Sequence, residues 1–210
     1  MHLHDVTQTL RFGAPLAKAH GVVILLHGRG SNPEDISSLA GYFRSSPHAR
    51  DLAFVAPSAT HDTWYPQRFF VPLAQNEPSL SSALDVIGQL VSEARAAGIS
   101  YERIAIAGFS QGACLSLEYA ARHPQRYAFV AALSGALIGP ISTPREAVDL
   151  LRTPVLLGCA ERDAHIPLQH VEHSAAAFAA FNADVTTQIF PGSAHTVFPD
   201  EAAWLARQFA

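Results

Sequence analysis

The sequence predicts one α/β domain over residues 1–210, with a mostly parallel central sheet and helices on both of its faces. Short, nearly continuous apolar runs recur along the chain, which is typical of strands buried on both sides. Segments with helical periodicity separate these runs, as the connections between parallel strands require. The chain contains no repeat, linker or low-complexity tract, and no insertion long enough to form a large lid domain. One hydrophobic core is therefore expected.

The predicted strands are short apolar segments, several of them ending at glycine or proline. They are GVVILLHG (21–28), DLAFVAP (51–57), RIAIAG (103–108), YAFVAALSG (127–135), PVLLGCAE (154–161) and VTTQIF (185–190). The N-terminal segment HLHDVTQTLRF places His2 and His4 in an alternating pattern, which indicates an edge strand of antiparallel direction with solvated histidines.

Four helices are predicted where apolar residues recur at intervals of three and four. They cover residues 80–97, 111–123, 167–181 and 199–209. Ser79 is expected to cap the first of them, and Pro167 to open the third.

The segment over residues 58–79 is a long loop of unusually apolar content. Trp64, Phe69 and Phe70 are candidates for substrate binding, because an apolar loop beside a reactive corner could form one wall of a pocket. The same residues could instead belong to a flap that packs on the core for stability alone.

Composition excludes several classes of partner. The formal net charge is −4, the pI is about 6.2, and Lys18 is the only lysine, so neither nucleic acid nor an acidic membrane surface is an expected partner. No signal peptide and no apolar run of membrane-spanning length is found, which predicts a cytoplasmic protein without stable membrane insertion. Cys114 and Cys159 are expected to be small buried residues, and no metal site is predicted from the eleven histidines.

The stretch IAIAGFSQGACLSL (104–117) passes from a buried strand to a helix around Ser110. A turn this sharp strains the serine backbone, and Gly108 and Gly112 relieve the crowding around it, so G-x-S-x-G in this context predicts a nucleophile elbow. A tight turn in which the glycines serve only the bend is the alternative.

A serine nucleophile needs a base and a carboxylate that orients the base. His195 follows the last strand and is the candidate base, with His165 and His27 as rivals near other strand ends. Asp163, after the fifth apolar strand, is the candidate carboxylate, and Glu161 is second to it.

The chain order Ser110, Asp163, His195 is the order of the α/β-hydrolase fold. An oxyanion hole is expected from the backbone amide of Gln111, which follows the nucleophile, and from that of Arg29 in the turn LLHGRGSN.

These motifs together resemble a known family. GFSQGA, LLHGRG, the WYP loop, the D-x-x-I-P segment and GSAHTV are similar to the phospholipase/carboxylesterase family of α/β-hydrolases, which includes acyl-protein thioesterases and small bacterial carboxylesterases. The resemblance extends from the strand at residue 21 to the final helix. It places Ser110, Asp163 and His195 on the family's triad, Arg29 and Gln111 on its oxyanion-hole positions, and Trp64 on a tryptophan beside the active site.

Arg29 departs from the leucine of eukaryotic acyl-protein thioesterases, and HGRG is more similar to the bacterial carboxylesterase branch. Its guanidinium could bind an anionic substrate group, or it could form a salt bridge to Glu34 or Asp35, which is the favoured interpretation.

The expected function is therefore a serine carboxylesterase that hydrolyses small carboxylic esters through an acyl-enzyme, without metal or organic cofactor. Thioesters or lysophospholipids with long acyl chains are alternative substrates. A different hydrolase on the same scaffold and a non-catalytic ligand-binding protein are further alternatives. A homodimer is possible on this reading, because many members of the family pair through apolar surface near the site.

Overall fold

A seven-stranded sheet forms the centre of the computed structural model, which describes residues 3–209. The strands are β1 (Thr9–Gly13), β2 (Gly21–Leu26), β3 (Leu52–Pro57), β4 (Ile104–Phe109), β5 (Phe129–Leu133), β6 (Pro154–Ala160) and β7 (Asp184–Phe190). Their order across the sheet is β1-β3-β2-β4-β5-β6-β7. All neighbours are parallel except β1, which pairs antiparallel with β3 at one edge. The predicted fold class is confirmed.

The helices are α1 (Pro33–Ser37), α2 (Ser79–Ala96), α3 (Gln111–Arg122), α4 (Leu168–Ala180) and α5 (Pro199–Ala206). Short 3₁₀ segments cover Leu16–Lys18, Ser38–Ser45, Ala49–Asp51, Thr60–Asp62, Leu73–Asn76 and Tyr101–Arg103. The four predicted helices are present, with the last ending at Ala206. Ser79 is the first residue of α2, where Pro78 occupies the N-cap position. Helix α1, which the sequence does not predict, is capped by the Asn32 side chain. Its five residues are too few to show a periodic pattern.

The alternating side chains of β2 divide the core between the two faces of the sheet. Val22, Ile24 and Leu26 pack on the face covered by α2, α3 and α4. Val23 and Leu25 pack on the opposite face, against the Ser38–Ser45 segment and the Trp204 and Leu205 side chains of α5. All five β2 side chains are 0–1% exposed, so the strand is an apolar run because both of its faces are covered.

The order of the sheet brings the ends of β2 and β4 together. The chain runs from β2 to β3 on one side and returns to form β4 on the other, so the connection changes direction at this position. Leu26 of β2 pairs with Gly108 of β4. Crevices at such a switch point, beyond the carboxyl ends of the strands, are where open α/β sheets bind ligands.

The N-terminal segment differs from its prediction. The strand begins at Thr9, because a turn closed by the Gln8 amide on the Asp5 carbonyl precedes it. His2 lies outside the described residues. His4 is buried instead of solvated, and its Nε2 lies 2.8 Å from the Trp64 carbonyl while its Nδ1 accepts from the Thr60 amide.

Both cysteines are buried and free, as predicted. Among residues 3–209, no helix is both long and apolar enough to cross a membrane. The same part of the chain contains no group of three or more histidine, cysteine and carboxylate side chains arranged to hold a metal ion.

Candidate active site

Ser110 lies at the corner between β4 and α3 with φ 54° and ψ −115°. This backbone conformation is rare for a residue with a side chain and is costly unless the surroundings enforce it. The flanking glycines permit it. A Cβ at Gly108 would lie 2.3 Å from the Gly112 carbonyl, and a Cβ at Gly112 would lie 2.1 Å from the Leu26 carbonyl. Only glycine therefore lets α3 approach β2 and β4 this closely.

His195 and Asp163 form a short hydrogen bond on loops that follow neighbouring strands. The distance from His195 Nδ1 to Asp163 Oδ2 is 2.6 Å. Asp163 lies beyond β6 and His195 beyond β7, so the parallel pairing of these strands brings the two loops to the same edge of the sheet. The Asp163 side chain is fully buried, whereas the His195 ring is 21% exposed to the cleft.

The other oxygen of Asp163 is held by its own loop. Oδ1 accepts from the backbone amides of His165, at 2.7 Å, and Ile166, at 3.1 Å. Burial raises the pKa of Asp163, but the hydrogen bond from His195, these amides and the nearby His195 charge outweigh burial, so the net pKa lies below its ordinary value. Asp163 is therefore a carboxylate at neutral pH.

Two aromatic rings pack against the His195 ring. Phe109 lies on one side with ring centroids 4.9 Å apart, and His165 on another at 4.7 Å. The loop is tied to the sheet where Ser134 Oγ donates to the Thr196 carbonyl at 3.3 Å. His165 thus contacts Asp163 through its backbone amide, and its ring packs against His195 at a tilt of 53°.

His27, the other rival, is a structural residue. Its ring is fully buried, with Nδ1 donating to the Gly28 carbonyl at 2.8 Å and Nε2 accepting from the Ala59 amide at 3.0 Å. Burial lowers its pKa. Both ring nitrogens are occupied, so the ring cannot exchange a proton with Ser110.

The backbone amides of Arg29 and Gln111 follow the ends of β2 and β4, and both residues line the cleft together with Ser110. Within residues 3–209, neither amide donates a hydrogen bond to the protein. Gln111 is the first residue of α3, where amides lack intrahelical partners and the helix dipole favours negative charge. Both amides are thus available to a ligand.

Among residues 3–209, the Arg29 side chain forms no salt bridge to Glu34, Asp35 or any other carboxylate, so the favoured prediction for it is wrong. Its guanidinium donates to three consecutive backbone carbonyls, those of Tyr65, Pro66 and Gln67. Asp35 instead accepts from the Ser31 hydroxyl and lies in the first turn of α1 with Glu34. The planar fork of arginine donors suits several fixed carbonyls better than one mobile carboxylate.

The aromatic side chains of the 58–79 segment lie at different depths. Trp64 is fully buried behind the cleft, where its indole donates to the His27 carbonyl at 2.9 Å. Phe69 contributes to the wall of the cleft. Phe70 packs against Phe69 and the His170 ring of α4, outside the lining. Tyr65 also lines the cleft, although nothing in the local sequence pattern distinguishes it from Trp64.

The resulting cleft has a volume of about 550 Å³ and contains Ser110 and His195. Its lining within residues 3–209 includes Arg29 and Arg68 but no carboxylate side chain. A wider groove of about 1140 Å³ lies between α2 and the end of α3, and none of Ser110, Asp163 and His195 belongs to it. The arrangement of groups in the smaller cleft can support nucleophilic attack on a carbonyl with a stabilised oxyanion.

Comparison with known proteins shows which family the chain belongs to. The family model described as Phospholipase/Carboxylesterase matches residues 10–207. A phospholipase/carboxylesterase from Dyadobacter fermentans has a solved structure that is 37% identical in sequence and superimposes with a TM-score of 0.91, covering 100% of this chain and 98% of that one. Acyl-protein thioesterase 1 of Saccharomyces cerevisiae is 27% identical over 217 residues, covering 94% of this chain and 95% of its own.

A carboxylesterase from Bacillus cereus, 18% identical with a TM-score of 0.73, covering 94% of this chain and 92% of that one, shares the fold. The match to the family model covers nearly the whole fold, from strand β1 to helix α5. The chain therefore belongs to the phospholipase/carboxylesterase family and is a serine hydrolase with the α/β-hydrolase fold.

Proposed function

We propose that the protein is a carboxylesterase in which Ser110 is the nucleophile, His195 the general base and Asp163 the orienting carboxylate. The observation that carries this proposal is the 2.6 Å hydrogen bond from His195 to buried Asp163. His195 lines the same cleft as Ser110, whose backbone is strained. Because Asp163 is ionised, the proton of His195 resides on Nδ1, which leaves Nε2 free to accept a proton.

The reaction then follows in two halves. His195 Nε2 takes the Ser110 hydroxyl proton while Oγ attacks the ester carbonyl, and the backbone amides of Arg29 and Gln111 bind the resulting oxyanion. Collapse of this intermediate breaks the ester bond, and His195 gives its proton to the departing alcohol. Water repeats the attack on the acyl-enzyme with His195 again as base, which releases the acid and restores Ser110.

Short, water-soluble esters are the substrates that this cleft fits best. Trp64 and Tyr65 are 0% and 2% exposed, so most of their apolar surface is used by the core and not by a tunnel for a long acyl chain. Arg29 and Arg68 make the rim polar and cationic. Phe69, which contributes to the wall of the cleft, is the proposed contact for a small acyl group. The homodimer that the family resemblance suggests is a separate matter and stays a prediction.

Long-chain thioesters are the second candidate class. The Saccharomyces cerevisiae relative is named acyl-protein thioesterase 1 and aligns along 95% of its length. The same set of groups would attack a thioester carbonyl, with a thiol instead of an alcohol as the leaving group. The two candidates therefore differ in acyl-chain length and leaving group and share the reaction path.

Hydrolysis of p-nitrophenyl esters from acetyl to palmitoyl tests the proposal. We expect kcat/KM to be highest for short chains, and Ser110→Ala to lower kcat at least about 10⁴-fold because the nucleophile is removed. Ser81→Ala, at an exposed serine of α2, is the control and should match the wild type. Full activity of Ser110→Ala would contradict the mechanism, and a maximum at palmitoyl would favour the long-chain alternative.

A further inference from the structure

We propose that residues 64–67 are a positioning segment for the oxyanion hole, held by the side chains of the same two residues whose backbone amides bind the oxyanion. This inference rests on the proposed function, because it assigns a purpose to contacts around the proposed oxyanion hole. Arg29 follows the end of β2 and Gln111 follows the end of β4. The positioning segment joins the two residues, because both side chains bind to it.

Arg29 holds the segment at three consecutive carbonyls. Its Nη2 donates to the Tyr65 carbonyl at 2.8 Å and to the Gln67 carbonyl at 2.7 Å, and its Nη1 donates to the Pro66 carbonyl at 3.1 Å. Three acceptors around one planar guanidinium define its position and orientation together. The side chain of Arg29 is thereby fixed, and so is the turn that carries its backbone amide.

Gln111 holds the adjacent part of the segment with both atoms of its amide. Its Oε1 accepts from the Trp64 amide at 3.0 Å, and its Nε2 donates to the Tyr65 carbonyl at 2.8 Å. Gln111 is 6% exposed, so these hydrogen bonds replace contacts with water that the side chain has lost. The first residue of α3 is thus tied to the same peptide as Arg29.

The Tyr65 carbonyl is the common acceptor of the two residues. It receives one hydrogen bond from Arg29 and one from Gln111, each 2.8 Å long. One carbonyl oxygen therefore sets the spacing between the turn after β2 and the start of α3. The spacing of these two elements is also the spacing of the two proposed oxyanion donors.

The segment is itself anchored, so it can act as a fixed reference. The Trp64 indole donates to the His27 carbonyl, and the Asp62 carbonyl accepts from the Gly30 amide at 2.8 Å. At the far end, buried Asn76 accepts from the Gln67 amide at 2.8 Å. These contacts connect the segment to the turn after β2 on one side and to the last residue of the Leu73–Asn76 3₁₀ segment on the other.

An oxyanion hole is effective because its donors are aligned before the charge develops. Removal of the side-chain contacts leaves both backbone amides in the chain, but the distance between these amides is then no longer fixed. The loss should therefore appear in transition-state stabilisation, and so in kcat, with little change in KM.

The variants Arg29→Met, Arg29→Lys and Gln111→Met test this inference on p-nitrophenyl acetate. We expect Arg29→Met and Gln111→Met each to lower kcat about 10- to 100-fold, a part of the 10²- to 10³-fold effect of deleting one donor. Arg29→Lys should restore little, because an ammonium group cannot satisfy three carbonyls, whereas full rescue would show that only the charge matters. Arg11→Met, which removes an exposed pair with Glu93, is the control.

Affinity for a trifluoromethyl ketone provides the second measurement. Serine hydrolases add their hydroxyl to such ketones, and the tetrahedral adduct places an oxyanion in the hole. Its inhibition constant should rise by the same factor as kcat/KM falls in each variant. The Arg29→Met/Gln111→Met double variant should lose less than the product of the single losses, because both act through the Tyr65 carbonyl.

The outcomes separate this inference from the proposed function. If Ser110→Ala is inactive while Arg29→Met and Gln111→Met keep kcat within about twofold of the wild type, the positioning role is wrong and the esterase proposal stands. Losses confined to KM, an unchanged inhibition constant, or fully multiplicative effects in the double variant would likewise overturn it. Full activity of Ser110→Ala would overturn the esterase mechanism itself.

Discussion

Asp163 shows how one buried side chain can have two separate duties. Its Oδ1 accepts two amides of its own loop, and its Oδ2 faces His195. The first duty is local and shapes the loop after β6. The second joins that loop to another one, 32 residues later in the chain. A substitution that keeps the first duty and removes the second can therefore isolate the contribution of Asp163 to the proposed reaction.

Asp163→Asn is such a substitution. The asparagine oxygen can still accept from the His165 and Ile166 amides, but its NH₂ group would face His195 Nδ1 and favour the tautomer with the proton on Nε2. That tautomer cannot accept the Ser110 proton, so we expect kcat to fall about 10⁴-fold with the fold retained. Steady-state kinetics and a far-UV circular dichroism spectrum of the variant measure both quantities.

Glu161→Gln is the matched control for Asp163→Asn. Glu161 is the second candidate carboxylate in the sequence, and its side chain is 54% exposed beside Arg162. We expect its substitution to leave kcat unchanged. A large loss in Glu161→Gln together with near-normal activity in Asp163→Asn would reverse the assignment of the two residues.

At the residue scale, sequence patterns locate the positions that follow strand ends, whereas the catalytic roles given to these positions stay predictions. Ser110, Asp163 and His195 each come after a recognisable apolar strand, and parallel strands place their carboxyl ends at one edge. The partners of the Arg29 side chain lie 36 to 38 residues away, in a loop without periodicity. Because no local sequence pattern indicates such a contact, the sequence predicts only the nearby carboxylates of Glu34 and Asp35 as partners of Arg29.

At the scale of elements, the corner between β4 and α3 depends on how closely the helix approaches the sheet. The position of a Cβ at Gly112 is 2.1 Å from the Leu26 carbonyl and 2.7 Å from the His27 carbonyl. Both contacts are to backbone, which cannot rotate away as a side chain could. A methyl group here would push α3 away from β2 and would move Ser110 with it.

Gly112→Ala should therefore destabilise the protein by about 3 kcal/mol, the upper end of the usual cost of overpacking. The matched control is Gly88→Ala in the middle of α2, where the nearest atom to an added Cβ is the Tyr119 hydroxyl at 3.8 Å. That substitution should stabilise the protein by about 0.5–1 kcal/mol, because alanine is the better helix former. Urea unfolding of both variants measures whether the free energy of unfolding falls for Gly112→Ala and rises for Gly88→Ala. A Gly112→Ala variant as stable as the wild type would contradict the close approach of α3 to β2.

The elements themselves could be predicted to the extent that each is long or strongly apolar. The six predicted apolar strands and the four long helices lie within a few residues of their observed bounds, because helical spacing and, for every one of these strands except β7, burial on both faces mark the sequence directly. In β7 every residue is exposed or half-buried. Helix α1 and the 3₁₀ segments are shorter than a full periodic window. The edge strand β1 begins at Thr9, later than the sequence predicts, because the alternating residues before Thr9 belong to a turn and to buried His4.

On the scale of the whole molecule, the sequence predicted the fold class but not the environment that folding gives to single charges. Glu201 lies in the first turn of α5, where an acidic residue ordinarily faces water and the helix dipole. In the folded protein it is fully buried against Gly158 of β6, and its Oε2 accepts from the Phe198 amide at 2.6 Å. Within residues 3–209 its Oε1 has no hydrogen-bond partner.

This burial predicts that global stability depends on pH. Burial raises the pKa of Glu201 from 4.5 to about 7, and the hydrogen bond from Phe198 opposes the shift only in part. Since the folded pKa lies above the unfolded one, the contribution of Glu201 is fully present below pH 4.5 and is lost as the pH rises through about 7. Asp163, whose pKa is lowered, acts in the opposite sense, and its contribution is lost only when the pH falls below its ordinary range.

Glu201→Gln isolates this contribution, because glutamine keeps an acceptor for the Phe198 amide and cannot ionise. The variant should gain stability relative to the wild type as the pH rises from 5 to 8, by about 2–3 kcal/mol for a pKa displaced by about 2.5 units. The measurement is the free energy of unfolding in urea for both proteins at each pH. Their difference cancels the other titrating groups, whose pKa values the substitution leaves largely unchanged. A difference that is the same at pH 5 and pH 8 would mean that Glu201 ionises in the folded protein as it does in the unfolded chain, and so that α5 leaves its carboxylate open to water.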